Sequence, residues 1–142
     1  MTKALGIIII FGAMLLAACS TAKQNAVEIP LENTRWELAE LMGKSISEWQ
    51  YENEPPNIIF EANSVKFNAY GGCNSMFGEY MSRNGEFKVD KVGSTKKFCG
   101  GNNIENDFYS AITAAIKYEL EGDKLIFYDY SYEEILIFRA KN

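Results

Sequence analysis

The sequence predicts an α+β domain: an antiparallel sheet of about seven strands, curled around one helix. Three observations predict it. Short alternating runs of apolar and polar residues recur along the chain. Tight-turn pairs such as Asn84-Gly85 and Gly122-Asp123 join neighbouring runs. A single late segment, from Ile104 to Ile116, has helical periodicity. Hairpin-linked strands with one inserted helix form the α+β pattern.

Before the domain, Lys3 gives a short positive start and Ala4 to Ala18 is an apolar and small-residue run. The run is shorter than the roughly 20 residues a spanning helix needs. Its basic start, apolar centre and small residues before a cut site match a secretory signal over residues 1–18. Its end, Leu16-Ala17-Ala18-Cys19, resembles a bacterial lipobox, in which cleavage leaves Cys19 as a lipid-bearing N-terminus. An ordinary signal with an incidental cysteine is the alternative. Residues 19–30 are polar, small and aperiodic, and read as a tether. The domain is expected over 31–142.

Within the domain, Trp36, Leu38 and Glu40 alternate with Arg35, Glu37 and Ala39 in a first strand. Gly43 to Pro56 is polar and reads as a loop, with Trp49 and Tyr51 apolar enough to fold back onto the body. Asn57–Glu61 and Ser64–Asn68 form a hairpin about Ala62-Asn63. Ala69 to Met81 carries Gly71, Gly72 and Gly78, which mark a bulge or a close backbone approach. Asn84-Gly85 predicts a type I′ turn into the strand of Phe87 and Val89, which runs to Ser94-Thr95. Asn102 or Asn103 caps the helix, whose apolar face is Ile104, Phe108, Ile112, Ala115 and Ile116. Lys117–Glu121 and Lys124–Asp129 form a second hairpin about Gly122-Asp123. A last strand covers Ile135 to Arg139.

Composition narrows the chemistry. The chain has no histidine, which removes the commonest general base, the commonest zinc ligand and every Ser-His or Cys-His pair. Its net charge is −5, and −6 once Lys3 leaves with the leader. An acidic domain is a poor partner for nucleic acid or for anionic lipid, both of which need Lys and Arg. With Cys19 assigned to lipid, Cys73 and Cys99 remain of the three cysteines. An even remainder in an exported chain favours a Cys73–Cys99 disulfide, with two buried thiols as the alternative. The wide spacing argues against a thioredoxin-like site.

The order of Asn33-Thr34-Arg35-Trp36-Glu37-Leu38, Tyr70-Gly71-Gly72-Cys73-Asn74, Ser94-Thr95 with Cys99, Phe108, and Tyr118 to Leu125 resembles the META domain family of HslJ-like bacterial lipoproteins. The resemblance covers Leu31 to Ala140. It implies a compact α+β domain similar to a cracked β-barrel, lipid attachment in a bacterial envelope, a link to stress, and no catalytic residue or cofactor. The family commonly reads Thr-x-Met-Ala-Cys where this chain has Thr95-Lys96-Lys97-Phe98-Cys99. The packing beside Cys99 is therefore where the chain departs from its pattern.

Other clusters have ordinary readings beside their functional ones. Asn74 begins no glycosylation sequon, because Met76 holds the third position, and reads as a turn or backbone-bonding residue. Lys96-Lys97 offers a basic contact to an anionic partner, but a solvated strand end explains it. The run from Phe127 to Tyr132 suits an interface, yet core filling plus a turn accounts for it. Asp129, Glu133 and Glu134 lack the spacing of a calcium loop and read as a solvated turn. The expectation is a non-enzymatic envelope protein without metal or cofactor, held at the membrane by Cys19. Ser20, not Asp, follows that cysteine, which points to the outer membrane in a cell with two membranes and to the outer face in a cell with one. Its partner would be another envelope protein or a small apolar ligand, not nucleic acid. The alternative is a pilot- or carrier-like protein that shields an apolar ligand or partner segment.

Overall fold

The computed structural model describes residues 28–100 and 103–141. The expected leader, Cys19 and the tether up to Val27 lie outside the described residues. The strands in chain order are β1 (Arg35–Leu41), β2 (Lys44–Ser45), β3 (Asn57–Phe60), β4 (Lys66–Tyr70), β5 (Ser75–Arg83), β6 (Glu86–Ser94), β7 (Lys117–Glu121), β8 (Lys124–Tyr128) and β9 (Glu134–Lys141). One helix, α1 (Glu105–Ala114), lies between β6 and β7.

The nine strands correct the expectation of about seven. β2 sits inside the stretch read as a loop. Met42 (φ 49°) and Gly43 (φ 74°) make a tight turn that pairs Leu41 with Lys44 and Glu40 with Ser45. Both turn residues take positive φ, which Asn or Asp before glycine would have signalled and Met does not. Ser45 then starts a short 3-10 turn, Ile46–Glu48, as its N–H donates to the Glu48 carboxylate at 3.0 Å. Trp49 does fold back and packs against the core.

All strand pairings are antiparallel. β1 pairs with β3 on one side and β9 on the other, so the sheet curls into a ring with β2 as a hairpin flap. A parallel bridge joins Glu32 to Phe60 where the chain enters. The ring is not a regular barrel. Between β6 and β7 only Glu86 and Lys117 are in register, and beyond them the two strands part. Among the described residues one helix, α1, packs against β6, β1 and β9 and completes the core.

The core is dominated by aromatic rings. Trp36, Phe60, Phe67, Phe108, Phe127 and Phe138 are each at most 1% exposed. They meet at tilted and edge-on angles, with Phe87 and Phe127 at 4.5 Å and Phe108 and Phe138 at 6.2 Å between centroids. α1 buries Phe108, Ala111 and Ile112, as its periodicity predicts. Ile116 does not join that face: the helix ends at Ala114, and the Ile116 N–H donates to the Tyr128 carbonyl at 2.9 Å to start the strand pairing of β7. The expected asparagine cap is corrected: Ile104 holds the capping position without a side-chain bond, and Asn103, one residue earlier, accepts from the Glu105 N–H at 2.8 Å; Asn102 lies outside the described residues.

The turn chemistry holds where its signals are strong. Asn84 (φ 53°) and Gly85 (φ 82°) both take the positive φ of a type I′ turn. Gly78 sits at a register shift between β5 and β6, and a Cβ there would lie 2.7 Å from the Phe67 ring. At the entry, the buried Tyr80 hydroxyl donates to the Glu32 carboxylate at 3.0 Å. Burial and that carboxylate push the phenol well above its ordinary pKa.

Candidate functional site

The residues that the sequence singles out at Gly71–Asn74 and Thr95–Cys99 meet at one corner, where the turn between β4 and β5 touches the start of α1. Cys73 and Cys99 are bridged, with their Cα atoms 5.8 Å apart, inside the range a disulfide needs. The bridge closes a loop with a sequence separation of 26, worth about 3–4 kcal/mol in the chain-entropy model.

Gly72 makes the corner possible. It takes φ 101°, and a Cβ on it would lie 2.6 Å from Ile104 Cγ2. The close approach expected of the glycines therefore admits the helix start as well as the bridge. Glu105, the first residue of α1, reaches back over the turn. Its carboxylate accepts from the Asn74 backbone N–H at 2.5 Å and from Asn74 Nδ2 at 3.0 Å.

Asn74, only 4% exposed, is the hub of this corner. Its Oδ1 accepts from the Lys97 N–H at 2.7 Å and the Thr95 hydroxyl at 2.8 Å, which fixes the orientation of the amide. Its Nδ2 faces Cys99 Sγ at 2.9 Å, Glu105 Oε1 at 3.0 Å and the Lys97 carbonyl at 3.1 Å. The reading of Asn74 as a backbone-bonding residue is thus half of its role. Cys73 Sγ, Cys99 Sγ and a carboxylate oxygen of Glu105 lie within 4.8 Å of one another.

Around the corner, the two lysines divide. Lys97 pairs with the Glu52 carboxylate, and that bond holds its ammonium pKa above the ordinary value. Lys96 stays exposed. Phe98 points outward and is 89% exposed. Between them lies a polar cleft of about 410 Å³, lined by Asn74, Lys96, Phe98, Cys99, Asn103 and Glu105 among others.

A second, more apolar cleft of about 690 Å³ lies by the Asn84-Gly85 turn and the C-terminal end of α1. Phe87 and Ala115 form its buried floor, and Met81, Ile116 and Tyr132 its exposed rim. The run from Phe127 to Tyr132 divides in the way its plainer reading expects. Phe127 is core, Tyr128 is half-buried, and Tyr130 and Tyr132 are exposed on a turn. Asp129 Oδ1 closes that turn by accepting from the N–H groups of Ser131 (2.8 Å) and Glu133 (3.1 Å).

Sequence reading passes over Glu105 and Glu52. The one available signal for Glu105 is an acidic residue in the first turn of a helix, which fits an ordinary helix equally well. Among the described residues, no helix is long and apolar enough to cross a membrane.

A family model described as META domain matches residues 29–142. No curated protein sequence matches the chain. Among solved structures, a protein from Burkholderia xenovorans is similar in fold at a TM-score of 0.62 and 16% identity, over 79% of this chain and 84% of that one. Another solved protein gives a TM-score of 0.60 at 18% identity, over 78% and 94%. A duf4847 family protein from Bacteroides vulgatus gives 0.51 at 15% identity, over 74% and 90%.

Proposed function

We propose a function from one premise: this chain belongs to the META domain family. It serves as a non-catalytic binding module of the bacterial cell envelope, active in stress and held at the outer membrane by lipid on Cys19. The observation that carries the anchor is Leu16-Ala17-Ala18-Cys19 at the end of a short apolar run that begins after Lys3. A single acyl chain binds a membrane only marginally, and the two or three on a lipoprotein cysteine bind stably. The absence of histidine from the whole chain supports a non-catalytic role.

Because aromatic side chains fill the ring, binding belongs at the surface. The apolar cleft rimmed by Met81, Ile116 and Tyr132 favours the pilot-like variant of this reading, in which a partner's apolar segment lies against the domain. An interior carrier site has no such support.

One experiment addresses both parts. Cells expressing the protein with a photo-crosslinking residue at position 81 are fed a clickable fatty acid. The fatty acid labels the wild type and not Cys19→Ser. Crosslinking to an envelope protein is lost in Ile116→Glu, although that variant remains labelled and folded. Equal labelling of Cys19→Ser refutes the anchor, and crosslinking that ignores Ile116→Glu refutes the cleft.

A further inference from the structure

We propose that reduction of the Cys73–Cys99 bridge turns this corner into a binding site for a thiophilic divalent cation of the zinc type. Its ligands are Cys73 Sγ, Cys99 Sγ and the Glu105 carboxylate. This inference is independent of the anchor and of the apolar cleft.

Geometry is the first support. The three donor atoms already lie within 4.8 Å of one another. Tetrahedral zinc, with Zn–S of about 2.3 Å and Zn–O of about 2.0–2.2 Å, places its ligand atoms roughly 3.3–3.8 Å apart. Once the S–S bond is broken, side-chain rotation alone separates the sulfurs to that distance, since the Cα atoms at 5.8 Å need not move.

Donor chemistry is the second. Asn74 Nδ2 carries two hydrogens but faces three acceptors at 2.9–3.1 Å, from Cys99, Glu105 and Lys97. Acceptors already outnumber protons in the oxidised state. Reduction replaces the bridge by two thiols beside the Glu105 carboxylate, and a divalent cation can take the place of their protons. Of the two lysines that line the cleft, Lys97 is committed to Glu52 and Lys96 stays exposed. Two sulfurs and a carboxylate oxygen form the kind of donor set that zinc accepts.

Support and access are the third. Asn74 donates to the Glu105 carboxylate from both its backbone and its side chain, as the outer partners of a metal ligand do. The polar cleft of about 410 Å³ opens directly onto Cys99 and Glu105, giving the ion an entry path and room for water as a fourth ligand.

The chemistry balances in two steps. A dithiol reductant gives two electrons and two protons to the bridge, leaving two cysteine thiols and the reductant's own disulfide. The cation then displaces the two thiol protons as two metal–sulfur bonds form. Oxidation reverses the sequence and expels the ion, so the disulfide and the metal compete for the same sulfurs.

The test uses the full-length protein with Cys19→Ser, which leaves Cys73 and Cys99 as its only cysteines. After reduction with a phosphine, Co²⁺ serves as a spectroscopic probe. One Co²⁺ per chain binds with a thiolate-to-cobalt charge-transfer band, and Zn²⁺ displaces it. The oxidised protein gives no band. Glu105→Gln weakens Co²⁺ binding at least about tenfold, the scale on which even outer partners of a metal act. Should that variant fail to fold, X-ray absorption on the zinc-loaded protein decides. The expected shell has two sulfurs at about 2.3 Å and oxygens near 2.0 Å. A reduced protein with no band, unchanged affinity in Glu105→Gln, or a shell of four sulfurs or of none each overturns the proposal.

Discussion

Asn74 commits its carbonyl oxygen and both amide protons to groups between 21 and 31 residues further along the chain. The disulfide beside it adds a covalent link, acting largely on the unfolded chain. Cys73→Ser therefore costs about 2–5 kcal/mol in urea unfolding. The amide dispersion of the folded state stays close to the wild type's except around the corner, because Asn74 still pins Thr95 and Lys97. Dispersion lost across the sheet would show that the bridge, not the amide, shapes the corner. The cysteine pair was legible in the sequence because an exported chain with an even remainder has few other uses for it. Glu105 was not. Its role exists only because Gly72, more than thirty residues earlier, lets the helix start come within van der Waals reach of the turn.

At the scale of elements, periodicity and turn chemistry carried most of the fold. Asn84-Gly85 and Gly122-Asp123 marked their hairpins, and the spacing of Ile104, Phe108 and Ile112 marked the buried face of α1. What periodicity could not carry was the end of that face. Ile116 continues the helical spacing, yet its N–H is claimed by Tyr128 across the sheet, a pairing no local pattern reveals. β2 was hidden for a similar reason, since Met42 accepts a positive φ that its side chain does not advertise. The contacts of α1 with β6, β1 and β9 assign it a definite task. Only Glu86 and Lys117 are in register between β6 and β7, and α1 ties β6 to β1 and β9 across the core. Phe108→Ala, which empties a fully buried aromatic site against Phe138, costs about 3–5 kcal/mol. Amide exchange in β6 and β9, which α1 touches, then accelerates before exchange in the β4–β5 ladder does. Uniform acceleration across both would refute the assignment.

For the whole molecule, the curl of the sheet was anticipated and its closure was not. The pairing of β1 with β9 joins the first and last strands, the contact most remote in sequence, and no hairpin signal can announce it. That closure has a mechanical consequence. β1 and β9 are antiparallel, with Arg35 opposite Lys141, so the two chain ends leave the ring side by side. Tension applied between those ends peels the pair apart one rung at a time. Tension between residue 28 and Phe98 meets different resistance. The chain enters beside Phe60, while the loop bearing Phe98 is fixed at the other end of β4. That load runs along β1 and strains its rungs with β3 and β9 together, while the Cys73–Cys99 bridge carries the distal end. Single-molecule pulling should therefore give a higher rupture force in the second geometry than in the first, and equal forces would contradict it. A domain built this way yields readily when drawn out by its ends, yet resists a pull that arrives through a partner held at its far corner.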